Sequence, residues 1–153
     1  SRAFGIKSII IRLPQVYGPS LTKEETYSII DKFVKGALKN EKFQVNGYGR
    51  DIKDFIYISD VVELIVKILN SNVAEGTFNV GSGKKIKLIE AAKVIIKIYG
   101  SGSYKAVSFP EDIKKFELGS FYFDISRASK QFKWKPKVKL DDGIKRVIEY
   151  YKN

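Results

Sequence analysis

Two glycine clusters, Gly47-Tyr48-Gly49 and Gly81-Ser82-Gly83, are the places where this chain could close its main chain around a phosphate. Glycine permits the tight turn and the close backbone approach that an anion requires. Neither cluster has the spacing of a dinucleotide turn, and neither runs into Gly-Lys-Ser/Thr, so spacing alone makes both of them turns. Asp54 and Asp60 flank a strand, six residues apart. A catalytic acid pair needs one carboxyl with a raised pKa, and nothing in the sequence raises either. Asp141-Asp142 fall at a helix start, where the dipole favours negative charge, and read as caps before catalysts. The chain has no His and no Cys. That removes Ser–His–Asp triads, Cys–His nucleophiles, the usual zinc sites and disulfides.

The chain has 153 residues, 44% hydrophobic and 29% charged, enough for one domain with a buried core. Net charge is +11, and only Arg2, Arg12, Arg50, Arg127 and Arg146 among the 28 basic residues are arginine. A basic chain with 13% aromatics invites a nucleic-acid reading. The lysines are scattered, however, with Lys84-Lys85 and Lys114-Lys115 the only doublets. A solvated lysine surface with one anion pocket is the better reading. The longest apolar run, Phe55 to Ile58, is far short of the ~18 residues of a membrane span. No N-terminal signal pattern is present. The chain opens at Ser1 and has no Met, a hint that it is part of something longer.

These residues must be positioned by alternating strands and helices. Residues 6–13 centre on Ile9-Ile10-Ile11, a run that does not alternate, which predicts a strand buried on both faces and ended by Pro14. Thr22-Lys23-Glu24-Glu25 has a capping-box pattern, and a helical repeat behind it runs to about Asn40. Strands are expected at 42–45, 54–58, 76–80 and 104–109. Ser59-Asp60, with Glu63, should cap a helix over 61–69 that is apolar on more than half its circumference and so well buried. A helix over 87–99 should end at Gly100. A charged loop, 111–119, precedes a short helix capped by Asp124 or Ser126, and a last helix covers about 140–151. The class is α/β, with short strands mixed among helices.

The order of motifs carries more than any single motif. Arg12-Leu13-Pro14-Gln15-Val16-Tyr17-Gly18-Pro19 resembles the R-x-x-N-V-Y-G-P stretch of extended short-chain dehydrogenase/reductases. Gly47-Tyr48-Gly49 followed by Lys53-Asp54-Phe55-Ile56-Tyr57-Ile58-Ser59-Asp60-Val61 resembles their G-D-G-x-x-x-R-D-F-I-Y-V-D-D-V block. Phe78-Asn79-Val80-Gly81-Ser82-Gly83 matches F-N-V-G-S-G. Asp124-Ile125-Ser126-Arg127-Ala128, then Phe132-Lys133-Trp134-Lys135-Pro136, is similar to D-x-S-K-A followed by L-G-W-x-P, and Leu140-Asp141-Asp142-Gly143-Ile144 to L-E-E-G-I. The five blocks stand in family order across nearly all of the chain. The group they resemble is the NAD-dependent nucleotide-sugar epimerases and dehydratases, of which UDP-galactose epimerase is a member.

That resemblance implies the C-terminal half of a Rossmann-type extended short-chain dehydrogenase fold, with residues 1–153 as the substrate-binding portion. The family's G-x-x-G-x-x-G turn and Y-x-x-x-K pair are not in this sequence. NAD would be bound mainly by an N-terminal half, which is also the implied partner, and no catalytic residue is identified in this chain. In the complete enzyme a hydride would leave a sugar carbon for NAD and return. The implied substrate is a nucleoside diphosphate sugar. Lys53 stands at the family's phosphate arginine and Lys114 near a second, with solvated surface lysines as the alternative for both. Lysine keeps the charge without the bidentate fork. Glu117 matches an acid that accepts from ribose hydroxyls. Gln15 replaces an Asn beside the sugar diphosphate, and Gln44, Val45 and Asn46 stand where a strand edge lies against the base. Tyr17 could line the sugar pocket or pack in the core. Asp54, Tyr57 and Asp60 read as structural. The resemblance also implies a cytoplasmic enzyme that is a homodimer when complete; the short apolar runs and scattered lysines argue against a membrane role and against a nucleic-acid partner. A basic nucleic-acid module, or a non-catalytic interaction remnant, are the alternatives.

Overall fold

The computed structural model describes residues 4–6, 8–20, 22–24 and 28–153. Strand β1 (Ile9–Arg12) runs parallel to β6 (Gly76–Asn79), with Ile11 opposite Phe78. Strand β2 (Gln15–Tyr17) runs parallel to β5 (Phe55–Tyr57), with Gln15 opposite Phe55 and Tyr17 opposite Tyr57. Strand β3 (Lys42–Val45) is parallel to β8 (Ser103–Ala106). The two-residue β4 (Ile52–Lys53) is antiparallel to β7 (Ile86–Lys87). The helices are α1 (Ile29–Leu38), α2 (Ile58–Leu69), α3 (Leu88–Tyr99), the four-residue α4 (Glu111–Lys114), α5 (Ser126–Phe132) and α6 (Leu140–Lys152).

Two cores share a wall. Side chains of a strand alternate between faces. In β5, Phe55 and Tyr57 therefore enter one core while Ile56 enters the other. In β2, Tyr17 goes with the first core and Val16 packs on the second. The first core is closed by α1, α3 and α6 through residues such as Phe33, Ile95 and Val147. The second lies under α2 and α5, around Leu64, Phe78, Phe132 and Trp134. The α/β class is as expected, and so is the left-handed Gly100 that ends α3, at φ 83°.

Several expected boundaries and burials move. The cap of α1 is Ser28, whose Oγ accepts from the Asp31 N–H at 3.0 Å, and residues 22–24 are bends. Glu25, the far end of the expected box, lies outside the described residues. Helix α2 starts at Ile58, so Asp60 is its third residue and caps nothing. β1 is not buried on both faces: Ile9 and Ile11 pack on the second core, while Ile10 is 55% exposed. Among the described residues its one strand neighbour is β6. Nor is α2 well buried. Val61 and Leu64 face inward, but Val62, Ile65, Val66 and Leu69 form an exposed stripe, with Leu69 at 78%. The strand expected to reach Phe109 ends at Ala106, and the charged loop contains α4. Asp141 and Asp142 lie in the first turn of α6 but make no side-chain cap bond there. Among the described residues no helix is long and apolar enough to cross a membrane.

Candidate functional site

Lys53 closes β4, and the segment after α4 lies along it. The Ile52 N–H donates to Ser120 Oγ at 2.9 Å, and the Phe121 N–H donates to the Ile52 carbonyl at 2.9 Å. This clamp leaves Lys53 only 7% exposed. Its ammonium donates to the Glu117 carboxylate and to the Gly119 carbonyl at 2.8 Å, and sits 5.4 Å from the centre of the Phe121 ring. An ammonium carries three donors, so one is left over after these two acceptors. A buried lysine persists where it is paired in this way. Lys53 is therefore not a solvated surface lysine.

Its neighbour Asp54 is fully buried and serves the fold. The carboxylate accepts from Ser82 N–H at 2.8 Å, Ser82 Oγ at 2.5 Å, Gly83 N–H at 3.2 Å and Phe123 N–H at 3.3 Å. A Cβ on Gly81 would fall on that carboxylate. The Gly81-Ser82-Gly83 turn is thus an anion cradle filled by the chain's own acid. The other glycine turn is packed as well: a Cβ on Gly47, at φ 61°, would strike the Phe109 ring. Neither turn fits the pyrophosphate of NAD, so the described residues offer that cofactor no glycine cradle.

The remaining predicted residues fall into three groups. Gln15 is tied to the strand beside Lys53 through its main chain, its N–H donating to the Asp54 carbonyl at 3.1 Å. Glu117 reaches Lys53 from 64 residues away. Lys114 does not join them. It ends α4, is 64% exposed and pairs with Glu111 at 3.3 Å. In β3 the Val45 carbonyl accepts from Val107 N–H at 3.0 Å, and the Val45 side chain is buried. The main chain of Gln44, one residue earlier in a parallel pairing, faces the edge away from β8. Asn46 begins a 3-10 turn, Asn46–Gly49. Tyr17 packs in the core, edge-on to Tyr57 at 5.4 Å, and its hydroxyl donates to the Leu140 carbonyl at 3.5 Å. Burial pushes the Tyr17 phenol well above its ordinary range.

Asp60 holds a remote segment in place. Its carboxylate accepts from the Lys137 and Val138 N–H groups, both at 3.1 Å, and its carbonyl accepts from Trp134 Nε1 at 3.1 Å. Sequence reasoning missed these partners, and it missed Asp31, a buried acid in the first turn of α1. The Ser28-Ile29-Ile30-Asp31 spacing was a visible signal for both the cap and the acid.

The fold is that of Rossmann-type short-chain dehydrogenases. A UDP-glucose 4-epimerase from Thermotoga maritima, solved with UDP-glucose, matches 99% of this chain and 48% of its own length, with TM-score 0.84 and 26% identity. A UDP-glucuronic acid 4-epimerase from Bacillus cereus, solved with UDP-glucuronic acid and NAD, matches 99% and 47%, with TM-score 0.84 and 26% identity. In sequence, a putative UDP-glucose 4-epimerase of Methanocaldococcus jannaschii is 29% identical over all of this chain and 48% of its own length. The profile of the NAD dependent epimerase/dehydratase family matches residues 1–81, and the chain belongs to that family. The chain spans between 22% and 48% of the length of such curated relatives.

Proposed function

We propose that this chain supplies the nucleotide-sugar-binding, C-terminal half of an NAD-dependent epimerase or dehydratase. The observation that carries the reading is Lys53, a buried cation with one ammonium hydrogen unspent. A diphosphate oxygen there would take that hydrogen, and Glu117 would hold the ammonium or turn to a ribose hydroxyl. The free main-chain edge at Gln44 and Asn46 would meet the base, with Val45 as the packed residue between them. Lys114, on the exposed α4, would reach the phosphates only from the rim. Tyr17 supports the pocket from within the core. NAD would be held by the N-terminal half, docked on the open edge of β1 and the apolar stripe of α2.

Calorimetric titration of the chain with UDP, dTDP and their glucose conjugates tests this. At least one conjugate should bind, and Lys53→Ala should weaken it about ten- to hundredfold, the range for a charge-assisted bond to a partly buried anion. Binding of none of the four, or unchanged affinity in Lys53→Ala, overturns the reading. The chain alone should show no turnover with NAD and these sugars. Turnover from rigorously pure material would place the catalytic groups in this chain.

A further inference from the structure

A cavity of about 170 Å³ opens between the Gly81–Gly83 turn and the start of α6. Lys84, Lys137 and Lys139 line it, and among the described residues no Asp or Glu does. Two buried acids hold its walls. Asp54 accepts from the Ser82 and Gly83 N–H groups on one side, and Asp60 from the Lys137 and Val138 N–H groups on the other. The three lysines are therefore brought together by main chain that the core has fixed. Lys137 is paired with Glu63 at 2.8 Å. The ammonium groups of Lys84 and Lys139 have no ion-pair partner among the described residues. Leu140, the first residue of α6, lines the cavity too. The N-cap, Lys139, has no acceptor to offer, and among the described residues no side chain caps this 13-residue helix.

Charge and size select the ligand. Lysines gathered without an acid repel one another, and an anion among them offsets that cost. The helix start adds the same preference. A neighbouring cavity shares Lys84 and Lys139, but Lys145, Glu90, Asp141 and Asp142 line it as well. Its three acids match its three lysines, so it selects neither sign. The smaller cavity, at about 170 Å³, lies below the ~300 Å³ at which pockets for drug-sized ligands begin, so it takes a compact anion and not a nucleoside diphosphate sugar. Lysine serves phosphate as a point charge, whereas planar carboxylate recognition favours the arginine fork. Among the described residues no arginine lines the cavity, and neither does Lys53, whose ammonium is turned to Glu117 and Gly119.

We propose that this cavity is a phosphate site separate from the nucleotide-sugar site, with Lys84 and Lys139 holding the phosphate group and Lys137 beside it. The group arrives as the free ion or as the phosphate end of a small ester. Calorimetric titration of the chain with inorganic phosphate and with glycerol 3-phosphate, at ionic strength matched with sodium chloride, tests this. Lys84 and Lys139 are exposed, so Lys84→Gln with Lys139→Gln should leave the melting temperature in chloride unchanged. At least one probe should bind the wild type, and this double variant should bind it about tenfold more weakly, having lost two charge contacts. Lys53→Ala should bind it as the wild type does. So should Lys93→Gln with Lys97→Gln, which removes as much charge from exposed positions on α3. Tighter binding of the ester names a phosphorylated small molecule as the source, and tighter binding of phosphate names the free ion; either supports the site. Binding of neither probe, or unchanged affinity in the Lys84 and Lys139 variant, overturns the proposal. Loss of binding in Lys53→Ala would assign the phosphate to the nucleotide-sugar site, and equal weakening in the Lys93 and Lys97 variant would assign it to net charge; each overturns the proposal as well.

Discussion

Lys53 and Asp54 are adjacent, buried and opposite in charge, yet they serve different ends. Asp54 spends its carboxylate on the chain itself, whereas the Lys53 ammonium keeps a donor in hand. Removing the acid should therefore cost stability. Asp54→Ala takes the acceptor from three partly buried main-chain N–H groups, so a loss of about 1–3 kcal/mol is expected by urea unfolding. A loss below about 1 kcal/mol would show that the Gly81–Gly83 turn stands without it. Asp31 gives the opposite sign. Its folded pKa is raised by burial, and the groups facing it are Ser28 and Lys35 on α1 and Tyr151 on α6. The native state therefore holds the proton more tightly than the unfolded chain, and stability falls as pH rises from the ordinary carboxylate range through the raised value. Asp31→Asn should raise the melting temperature at neutral pH, with the gain vanishing below about pH 4, near the ordinary aspartate pKa. A gain independent of pH would mean that the carboxyl is not charged against burial. Part of the arrangement was legible in sequence, since Lys53 and Glu117 do come together. Their mutual pairing was not, because a contact between residues 53 and 117 is a property of the fold, and a motif assigns each side chain to a ligand separately.

Elements were legible by period and poorly legible at their ends. Two cap patterns stand in succession, Thr22 to Glu25 and Ser28 to Asp31, and both satisfy the same rule. The apolar repeat that α1 buries, Ile30, Phe33, Val34 and Ala37, begins just behind Ser28, and this packing selects the second pattern. The burial of β1 and α2 could not be read at all from their composition. Ile9-Ile10-Ile11 and the α2 circumference are apolar enough for two buried faces, but burial needs a neighbour on each side. Among the described residues each has one covered face. The bare face of α2 presents Val62, Ile65, Val66 and Leu69 at helical spacing. Replacing Val66 and Leu69 with lysine should leave stability within about 0.5 kcal/mol per site, because exposed positions contribute little packing. The same change should abolish pairing with an N-terminal half supplied in trans. A drop in melting temperature of more than a few degrees would place these two side chains in this chain's own core.

At the scale of the whole molecule, β1 and α2 share one exposed apolar surface. The cavity bounded by Ile9, Ile11, Ile65, Ile68 and Leu69 joins β1 to α2, so their exposed apolar residues border one another. Ile10, on the other face of β1, and Leu13, beyond its end, are exposed as well, next to a strand edge that lacks a partner among the described residues. Monomeric proteins seldom leave more than a few hundred Å² of contiguous apolar area in water, and an unpaired strand edge adds a template for pairing. The opposite side of the molecule is self-sufficient, with α1, α3 and α6 closed over the first core. The chain should thus close both cores while the outer faces of β1 and α2 stay bare. Two consequences follow for sedimentation of the chain at micromolar concentration. Alone, it should self-associate, and the association should strengthen in sulfate, which favours apolar burial. With the N-terminal half supplied in trans, it should shift to a defined complex in which the β1 edge is protected from hydrogen exchange. A cleanly monomeric chain would mean that the bare faces of β1 and α2 belong to no partner.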